Sequence, residues 1–503
     1  MAENKMAVLP VGKLIFEMSL PPLFSMFLQY SYNLLDSAFV TRLSENALTA
    51  VSLSFPITTL MNAVSIWIGV GINVLIAGHL GKGEQEEANK TVTLGLILSF
   101  LVGIILNITV LLIISPYFKS FTENNDIYTL CMEYMGVCSF MQIPNMVHIV
   151  IQKMIQATGN MIEPMLFQLT GVITNFIFDP LLIFGIGFFP AMGIKGAATA
   201  TVLGYSVSMV LAFIMFLKAK HKIALKTVGF RFEWSIVQKI IILGLPSFIM
   251  NALNAFTVTI VNLFLVAYSD TSIAFFGAYF KIQQLIIMTI NGLIQGCLPI
   301  MRFNYGAGNL KRLQSVFRYS TILVTSLMMF GTLIIMLFPT QILSLFMASE
   351  KMRSYGIMAM RIMATGYLFC GLSTMISTYM QAIERVLPSI MIQIFRQMFF
   401  LIPIMWILEK ALLINGIWIA FTKNGQQVGF ARVITDYATH FYICDVVVKK
   451  EFRNKGIGRQ LLKTITENED LKPLLGMLIT ENAEKFYEPF GFTKNPICFM
   501  TNK

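Results

Sequence analysis

Long apolar runs separated by short polar connectors make up most of the chain. They cover residues 14–39, 48–77, 92–114, 127–155, 161–184 and 196–217, and then 236–267, 273–301, 316–337, 355–380 and 388–408. Each run, wound as a helix, is long enough to cross roughly 30 Å of hydrocarbon. Helices also satisfy their own backbone hydrogen bonds where no water is present. The pattern therefore predicts eleven transmembrane helices. A shorter apolar stub at 411–421 reads as a twelfth helix cut off within its own sequence, too short to cross. From Thr422 onward the pattern changes to alternation over short runs, which predicts strands at 427–434 and 441–448. A Gly-rich turn then opens a helix over 459–465.

The two sets of runs are copies. At one constant, gapless offset Pro21 aligns with Pro246, Phe39 with Phe264, Ile57 with Ile282, Gly71 with Gly296, and the Gly81/Gly83 pair with Gly306/Gly308. The first copy holds an even number of spans, so both copies share one orientation and are related by an axis along the membrane normal. Two parallel bundles form a transporter architecture. The basic loops, with Lys218, Lys220, Lys222, Lys226, Arg231 and Lys239 in one and Arg302, Lys311, Arg312 and Arg318 in the other, belong in the cytoplasm. With eleven spans the C-terminal segment would emerge outside.

Composition sharpens the division. The 503 residues are 56% hydrophobic and 13% charged, with a mean hydropathy of +0.71, which excludes a soluble enzyme over the whole length. Residues 1–421 carry 25 Lys and Arg and 17 Asp and Glu, whereas the much shorter stretch 422–503 carries 12 and 9, an ordinary density for a water-soluble fold. The net charge of +11 fits loops of a membrane protein, and no basic stripe interleaved with aromatics points to nucleic acid. Six scattered cysteines lack metal-ligand spacing, so no metal centre is expected. The first apolar run has no cleavage site and reads as a span, not a signal peptide.

Charges inside spans are costly and mark candidate function. They are Asp36 near the outer end of the first span, Asp179 in the fifth, Lys281 in the eighth, Arg361 in the tenth and Arg396 in the eleventh. Asn175 and Asp179 lie one helical turn apart on one face, and Pro180 frees a backbone carbonyl beside them. A carboxylate there can exchange a proton or hold a cation with its neighbours. The competing readings are an interhelical hydrogen bond at a Pro kink for Asp179 and a wet interfacial position for Asp36. Lys281 and Arg396 either reach water or tune the charge of a central cavity. The many Met and Phe are packing, some of it around an adaptable cavity.

These residues carry a resemblance. The run Asp36 to Leu43, the run Asn46 to Val51, the segment Gly193 to Thr201 and the Asn175/Asp179-Pro180 segment together resemble the multidrug and toxin extrusion (MATE) family, over residues 1 to about 421. The resemblance implies alternating access of two helical lobes that expel amphipathic cations in exchange for H+ or Na+, with no cofactor required. It places ion coupling on Asp36, Asn175 and Asp179, with a hydroxyl on the sixth span from Thr201 or Thr199. In the second lobe it finds only Asn251 and Asn254 on the seventh span and no acid on the tenth. A flippase for lipid-linked precursors is the alternative within the same superfamily.

The segment from Thr422 to Lys503 resembles the GNAT acetyltransferases. The loop Arg453, Asn454, Lys455, Gly456, Ile457 and Gly458 matches the family's acetyl-CoA loop, and Phe486 to Phe492 matches its late Tyr and Gly-Phe segment. The resemblance implies that Tyr487 is the general acid. The family's opening strand and first two helices are missing, so an inactive fragment is expected, with a membrane-tethered N-acetyltransferase as the alternative. The full expectation is an all-α polytopic membrane protein of two parallel repeats forming two lobes, its last helix truncated, followed by a small α/β domain. Its parts are a six-span lobe (1–217), a basic linker (218–239), a five-span lobe (240–421) and the GNAT-like domain (422–503). It is expected to be a multi-pass plasma-membrane monomer whose partners are small cationic amphipathic substrates and lipids. The abrupt change at the junction reads as two genes joined.

Overall fold

The computed structural model describes residues 4–122, 124–218, 222–226, 231–266, 270–344, 350–397, 416–423, 426–435, 440–469, 471–478, 480 and 483–494. It forms two compact units, one of residues 1–260 with 274–397 and one of residues 261–273 with 398–503.

The first unit is helical. A short helix α1 (Lys5–Val8) precedes α2 (Val11–Thr41), α3 (Glu45–Lys82), α4 (Gln85–Phe121), α5 (Asn125–Cys138), α6 (Gln142–Ala157), α7 (Ile162–Phe184) and α8 (Ile194–Lys218). A 3-10 turn at Ser139–Met141 joins α5 to α6, so that Asn125–Ala157 is one long apolar run. The second repeat gives α9 (Trp234–Val266), α10 (Asp270–Gly306), α11 (Leu310–Leu337), the short α12 (Pro339–Ser344), α13 (Glu350–Ala382) and α14 (Val386–Ile394). Ten helical runs among the described residues are long and apolar enough to cross a membrane, and they match the first ten sequence-predicted spans. The eleventh, 388–408, begins in α14 and continues outside the described residues.

The linker is less free than its charge suggests. Its residues 222–226 lie along the start of α4, where Ala224 N donates to Asn89 Oδ1 (2.9 Å), Lys226 N donates to Thr93 Oγ1 (2.9 Å) and Lys226 pairs with Glu86. Helix α9 already begins at Trp234, inside the predicted linker.

The repeats meet where glycines let backbones touch. A Cβ on Gly71 of α3 would overlap the Ile240 carbonyl of α9, and one on Gly306 of α10 would overlap the Gly78 carbonyl of α3. Around these contacts Trp67 Nε1 donates to Ile241 O (2.7 Å). Arg302, almost fully buried, donates from Nε to Val74 O (3.1 Å), from Nη1 to Ala382 O (3.4 Å) and to Glu384. All of these contacts lie at the basic end of the helices.

The second unit holds a four-stranded sheet in the order β1 (Gly416–Lys423), β2 (Gln426–Thr435), β3 (His440–Val448) and β4 (Leu475–Leu478). The first two pairings are antiparallel and the last is parallel. Helix α15 (Ile457–Thr466) makes the crossover that a parallel pair requires. Its apolar face, Ile457, Leu461, Leu462 and Ile465, packs on Val428, Ala431, Val433, Phe441 and Ile443.

Strand β1 corrects the expected helical stub at 411–421. Residues 416–421 are extended, and residues 411–415 lie outside the described ones. Lys423 pairs with Gln426, and β1 runs antiparallel to β2 from there to Gly416↔Ile434. A short apolar run does not by itself tell a helix from a strand, and here the hairpin partner decides it.

Candidate functional site

The site is built where α7 and α8 cross. Helix α7 buries one stripe, Pro164, Phe167, Gly171, Asn175, Asp179, Leu182 and Ile183, so the two polar residues continue a packing line at helical spacing. Helix α8 answers with Ala197, Ala200, Gly204, Ser208 and Ala212. These small residues bring the axes together: a Cβ on Gly171 would overlap Ser208 Oγ and sit 2.8 Å from Gly204 O. One turn along, Asn175 Nδ2 donates to Thr201 Oγ1 (3.2 Å), whose own hydroxyl donates to Ala197 O (3.0 Å). Thr199 instead bonds its own helix at Lys195 O (2.7 Å), so Thr201 is the hydroxyl that meets Asn175.

Asp179 is completely buried and neither carboxylate oxygen has a hydrogen-bond partner. Asn175 Oδ1 and Asp36 Oδ1 are likewise buried without one. Asp36, from α2, lies within electrostatic reach of Asp179 and of Cys138. Val40, Tyr134, Cys138, Ala197 and Ala198 form one packed cluster around the crossing, with Phe39 and Tyr205 against it. Buried polar atoms are nearly always satisfied, so a run of acceptor oxygens without donors has the chemistry to hold water, a proton or a small cation.

The second lobe offers a different set. Asn251 Nδ2 donates to Ser247 O (2.8 Å), Asn254 meets the Gln397 amide (2.6 Å), and Arg396 Nη1 donates to Cys370 Sγ (2.8 Å) and Thr374 Oγ1 (3.2 Å). Lys281 and Arg361 are exposed, and the Lys281 carbonyl accepts from Tyr30 Oη (2.5 Å). None of these residues joins the carboxylate pair.

Two ionisable residues in the fourth span escaped the sequence reading. Lys153 is 7% exposed and donates to Gln156 Oε1 (3.0 Å) and, from the other repeat, Gln295 Oε1 (2.8 Å). His148 is 4% exposed, its ring edge-on to Phe167 and close to Tyr205. A census of charges within 127–155 would have found Lys153.

In the second unit the loop before α15 turns through positive φ at Asn454 (58°) and Gly456 (81°). No side chain caps the helix at Gly456, so the first N–H groups of α15 have no intrahelical partner. Arg453 Nε is tied to Val448 O (3.3 Å) and Lys455 Nζ to Glu451 O (2.9 Å). A Cβ on Gly458 would press on the Phe486 ring at 3.0 Å. A backbone cradle of this kind has the chemistry to hold a phosphate group. Tyr487 closes a short helix α16 (Glu484–Tyr487) and meets Phe486 and Phe492 edge-on. Burial pushes its hydroxyl up from the usual phenol range, which keeps it a proton donor at neutral pH.

The transporter fold and its copied halves have a counterpart in the MatE family model, which matches residues 21–181 and 246–407. The chain belongs to the MatE family. The two matches start at Pro21 and Pro246, the pair of prolines that the internal repeat superposes. A second model, the acetyltransferase (GNAT) domain, matches residues 414–494 and includes β1. This MatE chain is 24% identical over 429 residues to the FAD transporter of Shewanella oneidensis, covering 84% of this chain and 93% of that one. It is 22% identical over 409 residues to the multidrug export protein MepA of Staphylococcus haemolyticus, covering 81% and 89%. Among solved structures it is similar to an outward-facing multidrug resistance MATE transporter of the MOP superfamily, with a TM-score of 0.76, 25% identity and coverage of 81% and 90%. It is also similar to a MATE protein crystallised with MaL6, with a TM-score of 0.77, 25% identity and coverage of 82% and 91%.

Proposed function

We propose that the MatE region is an ion-coupled exporter of small amphipathic cations in the plasma membrane, with Asp36 and Asp179 carrying the coupling ion as the two lobes alternate access. The observation that carries this reading is the buried Asp179 carboxylate, neither of whose oxygens finds a protein donor, together with the unpartnered Asp36 Oδ1 and the Asn175–Thr201 bond. Protonation or cation binding would neutralise them, and release would restore charge, so the first lobe has two states that differ by an ion. The sealed glycine contacts at the basic end support a state closed on that side. The test is efflux of a cationic dye from a pump-deficient bacterial host expressing the full chain, with membrane insertion verified. Loss of efflux in Asp36→Asn supports the reading, and native efflux in that variant overturns it.

A second reading concerns substrate charge. Lys153 sits between the repeats and donates to amide oxygens, and the Shewanella relative is named for FAD transport. An anionic substrate would meet this cation as the lobes part, so a flavin dinucleotide belongs in the same assay panel. For the second unit we infer acetyl-CoA binding without acetyl transfer, because the loop is built and the family's first helices have no counterpart after β1.

A further inference from the structure

We propose that Lys153 is an anion-recognition residue between the two repeats, and that its bond to Gln295 is the contact that a substrate's phosphate or carboxylate group displaces. The proposal rests on the second reading above, an anionic substrate, and assigns its recognition to one side chain.

Lys153 is anchored in the first repeat and reaches the second. Its carbonyl accepts from Asn73 Nδ2 (2.8 Å), which ties α6 to α3 at this residue. Its stem lies against Gly69 of α3, where a Cβ would stand 3.0 Å from Lys153 Cγ. The ammonium then donates to Gln295 Oε1 of α10 (2.8 Å) and to Gln156 Oε1 of its own helix (3.0 Å). Gln156 Nε2 also donates to Gln295 Oε1 (3.3 Å). A single amide oxygen of the second repeat thus takes both contacts offered by the first.

This cluster lacks a counter-charge. An ammonium has three donor hydrogens, and among the described residues Lys153 has two acceptors, both neutral amide oxygens. No ion pair among the described residues includes it, although the residue is only 7% exposed. Charges held inside a membrane protein ordinarily pair with an opposite charge or line a path for a solute. Arg302 shows the paired case in this same unit, since it is equally buried and meets Glu384. Lys153 has the burial without the acid, and an anionic group supplies what is missing.

The exchange follows from electrostatics. A phosphate or carboxylate oxygen adds a charge–charge attraction that an amide oxygen lacks, and that attraction is strong where water is scarce. As the repeats part, Gln295 leaves with α10 while the Asn73 bond holds Lys153 on the first repeat. The freed ammonium, with Gln156 beside it, then takes the anion in the place of Gln295 Oε1. The repeats reform their contact when the anion departs. A substrate without an anionic group has no means to compete with Gln295.

The test uses the full chain purified in detergent, with flavin mononucleotide and riboflavin as probes. They share one fluorescent ring system and differ by a phosphate, so the ratio of their dissociation constants isolates the anion. We expect the native chain to favour flavin mononucleotide by about tenfold or more, the scale of a hydrogen bond to a charged group. Lys153→Gln should bring that ratio close to one. Gln295→Leu should tighten flavin mononucleotide binding several-fold, because the ammonium has lost its competing acceptor. A purely structural role for Lys153 would weaken both probes alike and keep the ratio, and a kept ratio in Lys153→Gln overturns the proposal. Unchanged or weaker flavin mononucleotide binding in Gln295→Leu also overturns it. A native chain that does not favour flavin mononucleotide instead brings down the anionic-substrate reading itself, and the proposal with it. If Lys153→Gln fails to insert, the sign of the change in Gln295→Leu decides.

Discussion

Substituting Gly171 with alanine tests the helix crossing on which the ion site depends. The added methyl would overlap Ser208 Oγ and stand 2.8 Å from Gly204 O. Ser208 cannot swing away freely, because its hydroxyl donates to Phe167 O at 2.9 Å. The axes of α7 and α8 must therefore separate by several tenths of an ångström or more. Overpacking of this kind costs about 1–3 kcal/mol. The Asn175–Thr201 bond one turn away is already 3.2 Å long, so the same separation breaks it and adds roughly 0.5–1.5 kcal/mol. Transport should fall with stability, since the Asn175–Thr201 pair one turn from Asp179 loses its register. The assay is a double-mutant cycle of Gly171→Ala, Ser208→Ala and both together, read by thermal unfolding of purified protein and by dye efflux. Removing the Ser208 hydroxyl should recover part of the loss in the double variant and leave the part due to the Gly204 carbonyl. Native unfolding and native efflux in Gly171→Ala would refute the close crossing.

Thr201→Val should reduce efflux by about tenfold, the equivalent of roughly 1.4 kcal/mol, while Thr201→Ser keeps it, because only the hydroxyl meets Asn175; initial efflux rates decide. Arg302→Met should lower unfolding stability by roughly 1.5–3 kcal/mol for the charged hydrogen bonds lost to Val74, Ala382 and Glu384, measured by thermal unfolding in detergent. Gly456→Val should abolish acetyl-CoA binding in isothermal titration of the full chain, since φ of 81° suits glycine and not a β-branched residue.

The lobes were legible because a span needs a long apolar run and because Pro21/Pro246 and Gly71/Gly296 repeat at one offset. Asn175 and Asp179 were legible because helical spacing alone puts them on one face. The choice between Thr199 and Thr201 was not, since it depends on which side of α8 meets α7. Lys153 lies two residues from the end of the 127–155 run, and only the fold lays Gln295 of the other repeat against it. Strand β1 was hidden because Gly416 to Phe421 is apolar and short, and its pairing partner, β2, lies beyond it in the sequence.

Ion coupling through the first-lobe carboxylates has a direct experimental signature. It is tested most directly by cationic-dye transport into everted membrane vesicles energised in turn by a pH gradient and by a Na+ gradient, comparing the native chain with Asp179→Asn at matched insertion. A gradient should drive the native chain, and Asp179→Asn should lose the driven component. Gradient-driven transport in Asp179→Asn equal to native would contradict it.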